Sequence, residues 1–521
     1  MTLTTRLSGM ERAGRLLGIA AFAAVSHSAS AHQAKVPKHP NIIYIMCDDM
    51  GYGDLGCYGQ RLIQTPNLDR MAREGMRFTQ AYAGSPVSAP SRATVMTGQH
   101  SGHTHVRGNR EYWSGHDVPN MFGQNSDYSI IGQEPYDTAV SILPELFKQA
   151  GYQTGMFGKW AGGYYNLLDP VGGSSASLPN TRGIDVYYGP LCQFQAHTYF
   201  PNYLNRYDPS KGDSHVVVDT LKQNIQHAAV ASGNADYENR EQYSADLIHQ
   251  YALEWIRRQK KDEPFLGIFT YTLPHAELWQ PNDSILQHYD KAFKGQDSPF
   301  RGNLHSWYYP NVNRHAQFAA MITRLDAMVG EIFECLRQQG LLENTLVIFT
   351  SDNGPHEEGG ADPDWFNRDG LLKGKKRSTY EGGIRIPFIA CGPGVPAGTV
   401  NNHQLAFYDL IPTFLEYAGR RDLIPQRDGI SFFPTLTGHD ERQARHPHLY
   451  WEFHETDMIG VRRDNWKLVV RQGRCFLYDL ETDLHEDHNL APQLPGIVNE
   501  LKEIVRKEHT ESPLFKVTLP K

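Results

Sequence analysis

Residues 41–49 read Asn-Ile-Ile-Tyr-Ile-Met-Cys-Asp-Asp, an almost continuously apolar run that ends abruptly at two carboxylates. A short apolar run without polar alternation is typical of a parallel strand that is buried on both faces. Because Asp48 and Asp49 directly follow the last apolar residue, we expect both to lie at the carboxyl end of this strand.

The order strand, helix, strand recurs along the chain. Apolar residues spaced alternately four and three apart between Phe318 and Leu336 indicate a long amphipathic helix. The other predicted elements are a helix at 141–150 and strands at 153–157, 265–271 and 345–350. This alternation favours an α/β fold, with a doubly wound mixed sheet flanked by helices.

Polar residues follow several of these strands, namely Lys159, His275, Asp352 and Asn353. In a doubly wound sheet, ligands bind outside the carboxyl ends of the strands. We therefore expect these side chains to lie in one site, together with the carboxylates of Asp48 and Asp49.

The pattern changes after about residue 446. Short strands are indicated within 459–470 and 475–480, and a helix is indicated near 497–507. We expect a small C-terminal α+β subdomain at 446–521, with a small antiparallel sheet and a helix, after a catalytic domain at 38–445.

The first residues have the layout of a signal peptide. Three arginines precede an apolar run at 16–25 and a small-residue site at 29–31, and this run is too short to span a bilayer. We expect residues 1–31 to be removed and the protein to be exported, to the periplasm or outside the cell. No other segment is apolar enough to predict a transmembrane helix.

Composition indicates an enzyme-sized globular protein. Of 521 residues, 40% are hydrophobic, and the formal net charge of −8 argues against a protein that follows nucleic acid along a basic face. The six cysteines are scattered without metal-type pairs. Their spacing allows one or two disulfides and does not indicate zinc.

The most informative stretch is Ser88-Ala-Pro-Ser-Arg92, followed by Thr97-Gly98. It resembles the signature of the formylglycine-dependent sulfatases, the arylsulfatase and carbohydrate sulfatase family of the alkaline phosphatase superfamily, in its serine-type form. Further motifs of the resemblance occur in order along the chain, at 48–49, 65–69, 158–160, 274–275, 351–354, 380–387 and 477–480. The resemblance implies an alkaline-phosphatase-like fold and a sulfatase activity.

The resemblance also implies a metal site. Carried over by position, its ligands are Asp48, Asp49, Asp352 and Asn353, and the modified residue 88 completes the shell. Hard oxygen ligands without cysteine or histidine suit calcium, and less well magnesium, better than zinc.

Catalytic roles follow from the same resemblance. Ser88 is oxidised to formylglycine, whose hydrate has two hydroxyls on one carbon; one attacks sulfur and the other then expels sulfate. Arg92 holds the modified side chain, Lys159 and Lys376 grip sulfate oxygens, and His275 protonates the leaving alcohol. Lys375 is the alternative to Lys376 as the second lysine that grips sulfate.

Two further expectations rest on departures within the family. Serine at position 88 implies a radical-based formylglycine maturase as partner, since the oxygen-dependent enzyme works on cysteine. The family commonly has a histidine where this chain has Ala161, so the base that regenerates the aldehyde is open. His356 is one substitute for that base, and water or the nearby ligand field is another. His356 could equally bind substrate or cap a turn.

Two segments, 103–109 and 193–203, resemble sugar-facing loops of carbohydrate sulfatases. Arg107, Asn109 and His197 are the candidate sugar contacts, with His356 as a further substrate-binding candidate. These loops favour a sulfated glycan of galactose or N-acetylhexosamine type. The alternatives are a phosphate mono- or diesterase of the same fold, and a non-catalytic binder of sulfated glycans in which Ser88 stays unmodified.

Overall fold

The computed structural model describes residues 35–113, 130–166, 176–191, 193–196, 198–201, 203–221, 241–297, 313–367 and 372–521. Ala34–Lys521 form one compact unit. The predicted signal peptide at 1–31 lies outside the described residues, as does His197.

Strands are labelled in chain order. They are β1 (Asn41–Cys47), β2 (Met76–Tyr82), β3 (Glu111–Trp113), β4 (Ile130–Gln133), β5 (Gln153–Gly158), β6 (Tyr164–Asn166), β7 (Val186–Gly189), β8 (Tyr203–Tyr207), β9 (Val217–Thr220), β10 (Phe265–Thr270), β11 (Thr345–Ser351), β12 (Arg385–Cys391), β13 (Thr399–Asn401), β14 (Leu405–Ala406), β15 (Leu449–Phe453), β16 (Met458–Arg463), β17 (Trp466–Arg471) and β18 (Arg474–Asp479).

The α-helices are labelled in the same way. They are α1 (Pro66–Glu74), α2 (Ser88–Thr97), α3 (Leu143–Gln149), α4 (Gln193–Ala196), α5 (Ser244–Arg257), α6 (Ser284–Ala292), α7 (Arg314–Gln338), α8 (Pro363–Phe366), α9 (Glu381–Ile384), α10 (Leu410–Tyr417), α11 (Phe433–Leu436) and α12 (Pro495–Glu508).

The main sheet has the order β13-β2-β12-β11-β1-β10-β5-β7-β8-β9, with β14 paired to β2. Its centre is parallel, because β1 pairs in parallel with both β10 and β11, and β10 with β5. The β11–β12, β12–β2, β7–β8 and β8–β9 pairs are antiparallel. The predicted α/β fold with a mixed, alkaline-phosphatase-like sheet is confirmed.

Strand β1 lies in the middle of the main sheet, and its alternate side chains enter two different cores. Ile43 and Ile45 pack in the core that contains the apolar faces of α5 and α7. Tyr44 and Met46 pack in the core on the other face, with residues of α2 and α10. A strand buried on both faces carries no polar alternation, which explains the apolar run at 41–47.

A separate antiparallel sheet, in the order β15-β16-β17-β18, follows the main sheet in the chain. Leu468 and Leu477 of this sheet share a core with Leu501 and Val505 of α12. The C-terminal antiparallel sheet and helix are therefore confirmed, and the boundary at residue 446 stays a prediction.

The main difference between a predicted element and the structure is at the start of the helix predicted at 141–150. That helix begins at Leu143 and not at 141, because Ile142 is extended and its N–H donates to the Glu145 carboxylate at 2.8 Å. Gly151, at φ 86°, follows its end in the left-handed region that favours glycine.

The cysteines that the structure describes, Cys47, Cys57, Cys335, Cys391 and Cys475, are free thiols. A disulfide among these five is therefore not formed. Among the described residues, none of the helices combines the length and apolar character needed to cross a membrane.

Candidate active site

The site lies at the carboxyl ends of β1 and β11. These strands are parallel with Cys47 opposite Ser351, so the residues that follow each strand meet at one edge of the sheet. The N–H of Asp49 donates to the Asp352 carboxylate at 3.0 Å, and the N–H of Asp352 donates to the Cys47 carbonyl at 3.0 Å. Asp49 has φ 64°, a conformation that costs energy in a residue other than glycine and is held by these contacts.

Ser88 is the first residue of α2 and is completely buried. Its hydroxyl donates to Asp48 Oδ1 at 2.7 Å, and the Ser91 hydroxyl of the same helix donates to the Asp352 carbonyl at 2.5 Å. The helix thus fixes residue 88 against the carboxylates, with the positive end of its dipole facing the site.

Buried cations surround the carboxylates. Arg92 Nη2 lies 2.7 Å from Asp352 Oδ2 and 3.5 Å from Asp48 Oδ2. Lys159 Nζ donates to Asp48 and to Gln193 Oε1. Lys159, which follows β5, and Arg92 of α2 therefore share Asp48 as an ion-pair partner, and Arg92 also pairs with Asp352.

The structure distinguishes between the two adjacent lysines. The Lys376 side chain is 5% exposed, and its Nζ donates to Asp49 Oδ2 at 2.8 Å and to Glu358 Oε2 at 2.7 Å. Lys375 is 24% exposed and pairs with Glu357 and Asp364 outside the cluster. Lys376 is the lysine of the site.

His275 follows β10 and is oriented by its own neighbour. Its Nδ1 lies 2.6 Å from the Ala276 carbonyl, which fixes Nδ1 as the protonated nitrogen of the neutral ring. Nε2 then faces the site, 2.8 Å from Lys376 Nζ and 3.2 Å from both Asp49 Oδ2 and Glu358 Oε2.

The carboxylates have pKa values shifted in opposite directions. Burial, followed by the nearby Asp48 charge, raises the pKa of Asp352 to about 6. Although burial opposes ionisation of Asp48 too, Lys159 and Arg92 hold its pKa well below its ordinary value. The cations of the chain therefore offset the negative charge of Asp48 more fully than that of Asp352.

These residues fit a divalent cation. The Asn353 amide nitrogen donates to Asp49 Oδ1 at 2.7 Å, whereas Asn353 Oδ1 is buried without a hydrogen-bond partner among the described residues. A buried acceptor without a donor is costly unless a cation satisfies it. Carboxylate and amide oxygens are the donors that hard cations such as calcium and magnesium prefer.

Two functional residues were missed from the sequence, Glu358 and Gln193. Glu358 pairs with Lys376, His275 and Arg377, and Gln193 contacts Lys159 at 3.0 Å. The acidic pair at 357–358, close behind Asp352, is the signal that would have identified Glu358.

The predicted sugar contacts have different positions. Asn109 lies in the site, because its Oδ1 accepts from the Ala89 N–H at 3.4 Å and from Gln193. Arg107 is buried, and its guanidinium donates to Glu452 Oε1 at 2.7 Å and to the Thr104 and Thr510 carbonyls. These contacts, made by Nε and Nη1, give Arg107 a structural role, and its predicted sugar contact stays a prediction.

His356 stacks on His275 with ring centroids 5.3 Å apart and is fully buried. Its Nε2 lies 3.1 Å from the Pro274 carbonyl, and its Nδ1 has no hydrogen-bond partner among the described residues. Burial lowers the pKa of His356 to about 4. The ring is therefore uncharged near neutral pH, and its role as base or substrate contact stays a prediction.

Comparison with known proteins agrees with this geometry. The family model described as Sulfatase matches residues 40–420, and the one described as N-sulphoglucosamine sulphohydrolase, C-terminal, matches residues 373–511. N-acetylgalactosamine-6-sulfatase of Rattus norvegicus is 31% identical over 92% of this chain and 80% of its own length. Arylsulfatase A of Homo sapiens is 30% identical, over 91% and 87%.

Two further likenesses bear on substrate and fold. N-acetylgalactosamine-6-O-sulfatase of Bacteroides thetaiotaomicron is 27% identical over 96% of this chain and 100% of its own length. The crystal structure of Ps i-CgsB in complex with k-i-k-neocarrahexaose has a TM-score of 0.66 and 26% identity, and covers 90% of this chain and 92% of that one. The family match, the relatives and the site together show that this chain belongs to the sulfatase family and is a sulfuric ester hydrolase.

Proposed function

We propose that the protein hydrolyses a sulfate monoester on a sulfated glycan of galactose or N-acetylhexosamine type, with Ser88 oxidised to formylglycine and calcium bound beside it. The observation that carries the proposal is the position of Ser88, whose hydroxyl lies 2.7 Å from Asp48 among buried carboxylates and cations. The glycan is supported by the relatives that are named for N-acetylgalactosamine 6-sulfate and by the neocarrahexaose complex.

A serine hydroxyl is a weak nucleophile, whereas the hydrated aldehyde of formylglycine supplies two hydroxyls on one carbon. Asp48 accepts the hydrogen bond from residue 88 and orients it. Arg92 in turn holds Asp48 and Asp352 in place through its ion pairs. The chain thus presents residue 88 in one orientation to the bound ester.

Asp48, Asp49, Asp352 and Asn353, with residue 88, would hold the calcium ion. When bound, the ion supplies positive charge that polarises sulfate oxygens. Lys159 and Lys376 contribute further positive charge to the sulfate group as point charges.

With a proton on both ring nitrogens, His275 donates the Nε2 proton to the leaving alcohol and becomes the neutral ring that keeps its proton on Nδ1. Its Nε2 faces the site, and Lys376, Asp49 and Glu358 surround that nitrogen. A buried imidazole with one nitrogen fixed by a carbonyl can move a proton at the other without changing its position.

The proposal includes maturation and export. Serine at position 88 requires a radical-based maturase that oxidises serine. A signal peptide at 1–31 would deliver the enzyme to the periplasm or the exterior.

The alternative function, a phosphate mono- or diesterase, is supported only by a similarity in fold. The phosphonate monoester hydrolase of Agrobacterium radiobacter has a TM-score of 0.58 and 20% identity, and covers 90% of this chain and 95% of that one. A matched pair of esters, an aryl sulfate and the corresponding aryl phosphate, separates the two functions.

The matured protein should hydrolyse the sulfate faster than the phosphate. A chelator should abolish turnover, and calcium should restore it better than zinc, because the ligand set contains only oxygen atoms. Faster phosphate hydrolysis, or turnover that ignores chelators, would overturn the proposal.

A further inference from the structure

A continuous hydrogen-bonded chain connects Lys159 to the start of α2. Gln193, the first residue of α4, is buried, and its Oε1 accepts from Lys159 Nζ at 3.0 Å. Its Nε2 donates to Asn109 Oδ1, which also accepts from the Ala89 N–H at 3.4 Å. Ala89 follows the nucleophile position directly, so the chain links two parts of the sulfate site.

Gln193 reaches Lys159 because the backbone segments that carry them run side by side. The N–H of Trp160 donates to the Pro190 carbonyl at 3.1 Å, and that of Ala161 donates to the Leu191 carbonyl at 3.1 Å. Ala161 is fully buried, and its side chain is only a methyl group. Among the described residues of the segment that begins at Pro190, Gln193 is the residue whose side chain accepts a hydrogen bond from Lys159.

The lysine has three N–H donors that rotate together about the Cε–Nζ bond, so the acceptors around Nζ determine their directions. Among the described residues, Asp48 and Gln193 accept from it, so one donor remains for an oxygen of the substrate. An amide accepts a hydrogen bond without bringing a negative charge. A carboxylate at position 193 would pair with Lys159 and compete with an incoming sulfate group.

We propose that Gln193, held by Asn109, is a positioning residue of the sulfate site, which directs the remaining N–H of Lys159 toward the sulfate group and leaves the lysine charge available to it. The inference rests on the proposed function, in which Lys159 grips sulfate. Asn109 thereby acts through Gln193 and Lys159.

Two substitutions separate the contact from the charge. Gln193→Met keeps the length of the side chain and removes the acceptor, and Gln193→Glu keeps the acceptor and adds a negative charge. The matched control is Gln153→Met, at the exposed start of the strand β5 that leads to Lys159.

The first readout is the binding of inorganic sulfate to the calcium-loaded, unmodified full chain, measured by calorimetry. Gln193→Met should raise the Kd about tenfold, as expected for one hydrogen bond to a charged group. Gln193→Glu should raise it more, and Gln153→Met should leave it unchanged.

The second readout is steady-state hydrolysis of an aryl sulfate by the matured protein. KM should rise in both Gln193 variants by more than kcat falls, with unchanged thermal melting. If wild type binds sulfate and turns over while either folded Gln193 variant matches it in Kd and KM, the positioning role is wrong. If calcium-loaded wild type neither binds sulfate nor, once matured, hydrolyses the ester, the proposed function itself fails.

Discussion

Lys375 and Lys376 are adjacent in the chain, but their side chains lie in different environments. The backbone N–H of Lys376 donates to the Pro355 carbonyl at 2.9 Å, and that of Arg377 donates to the Pro86 carbonyl at 2.7 Å. The first bond holds the turn against the segment that follows Asn353, and the second holds it against the segment that precedes Ser88. The turn directs Lys376 into the site and Lys375 toward Glu357 and Asp364.

Lys376→Met should therefore lower kcat/KM for an aryl sulfate by about two orders of magnitude or more, since a buried charge aimed at the sulfate group is lost. Lys375→Met is the matched control and should change kcat/KM less than about threefold, because exposed ion pairs contribute little. Steady-state kinetics of both variants measures the contrast. Equal losses of kcat/KM in the two variants would show that both lysines act on the sulfate group and would contradict the assignment to Lys376 alone.

Much of the site could be predicted at this scale. Asp48, Asp49, Asp352 and Asn353 follow apolar strands directly, and parallel strands bring such positions together. The contacts of Gln193 and Glu358 could not be predicted, because they depend on how segments far apart in the chain pack around Lys159 and Lys376. The contacts of Arg107 with Glu452 and the Thr510 carbonyl could not be predicted either, because the sequence of a polar loop does not show its partners.

At the scale of elements, α9 joins the main sheet to the C-terminal sheet through buried charges. Glu381 of α9 accepts from Lys467 of β17 at 2.8 Å and from the Tyr82 hydroxyl of β2 at 2.8 Å. Burial opposes its ionisation, but Lys467 and Arg462 lower the pKa of Glu381 to about 2. The Glu381–Lys467 ion pair therefore links the main sheet to the C-terminal sheet.

Glu486 lies beside this pair. Its Oε2 accepts from the Glu381 N–H at 2.8 Å, and its Oε1 is buried without a hydrogen-bond partner among the described residues. Burial raises the pKa of Glu486 to about 8. The native state therefore holds this side chain protonated over a pH range in which the unfolded chain ionises it.

Glu486 stabilises the fold fully below the ordinary glutamate pKa, and this contribution is lost as pH rises through about 8. Glu486→Gln should match wild type near pH 4 and exceed it at pH 7 by on the order of 3 kcal/mol in free energy of unfolding. Denaturant unfolding at several pH values measures the difference. A difference that does not depend on pH would contradict this assignment.

Helices and strands could be predicted from the sequence where the pattern of apolar residues is strong. Strand β1 and the long helix α7 carry clear apolar patterns, and the structure has both. The three-residue strands β3 and β6 are too short to show a period, and the antiparallel β12 and β2 join the sheet from positions far apart in the chain. Their pairing depends on tertiary packing.

At the scale of the whole molecule, the segment around α2 and the C-terminal part share a buried polar seam. Arg107 pairs with Glu452, whose other oxygen lies 2.9 Å from His509 Nδ1. At the end of α12, Glu508 pairs with His100 at 3.2 Å and with His448 at 3.1 Å. Residues after α2 thus bind the end of α12 and the tail that follows it.

Arg107→Ala should lower the free energy of unfolding by about 3 kcal/mol, because it leaves a buried carboxylate short of its partner. The KM for a sulfated saccharide should stay at the wild-type value, since Nε and Nη1 of the guanidinium donate inside the protein. The matched control is Arg110→Ala, an exposed residue of the same loop, which should change stability by less than about 0.5 kcal/mol. A raised KM without loss of stability would contradict this structural role and support the sugar contact predicted for Arg107.

The central claim is that Ser88, held by Asp48 at the start of α2, is oxidised and then attacks the sulfate ester. Mass spectrometry of the peptide that spans Ser88, taken from protein preparations of different specific activity, tests this claim most directly. The account predicts a peptide lighter by two hydrogen atoms, in a fraction that rises in proportion to sulfatase activity, and no activity in Ser88→Ala. Fully active protein that contains only unmodified Ser88 would contradict it.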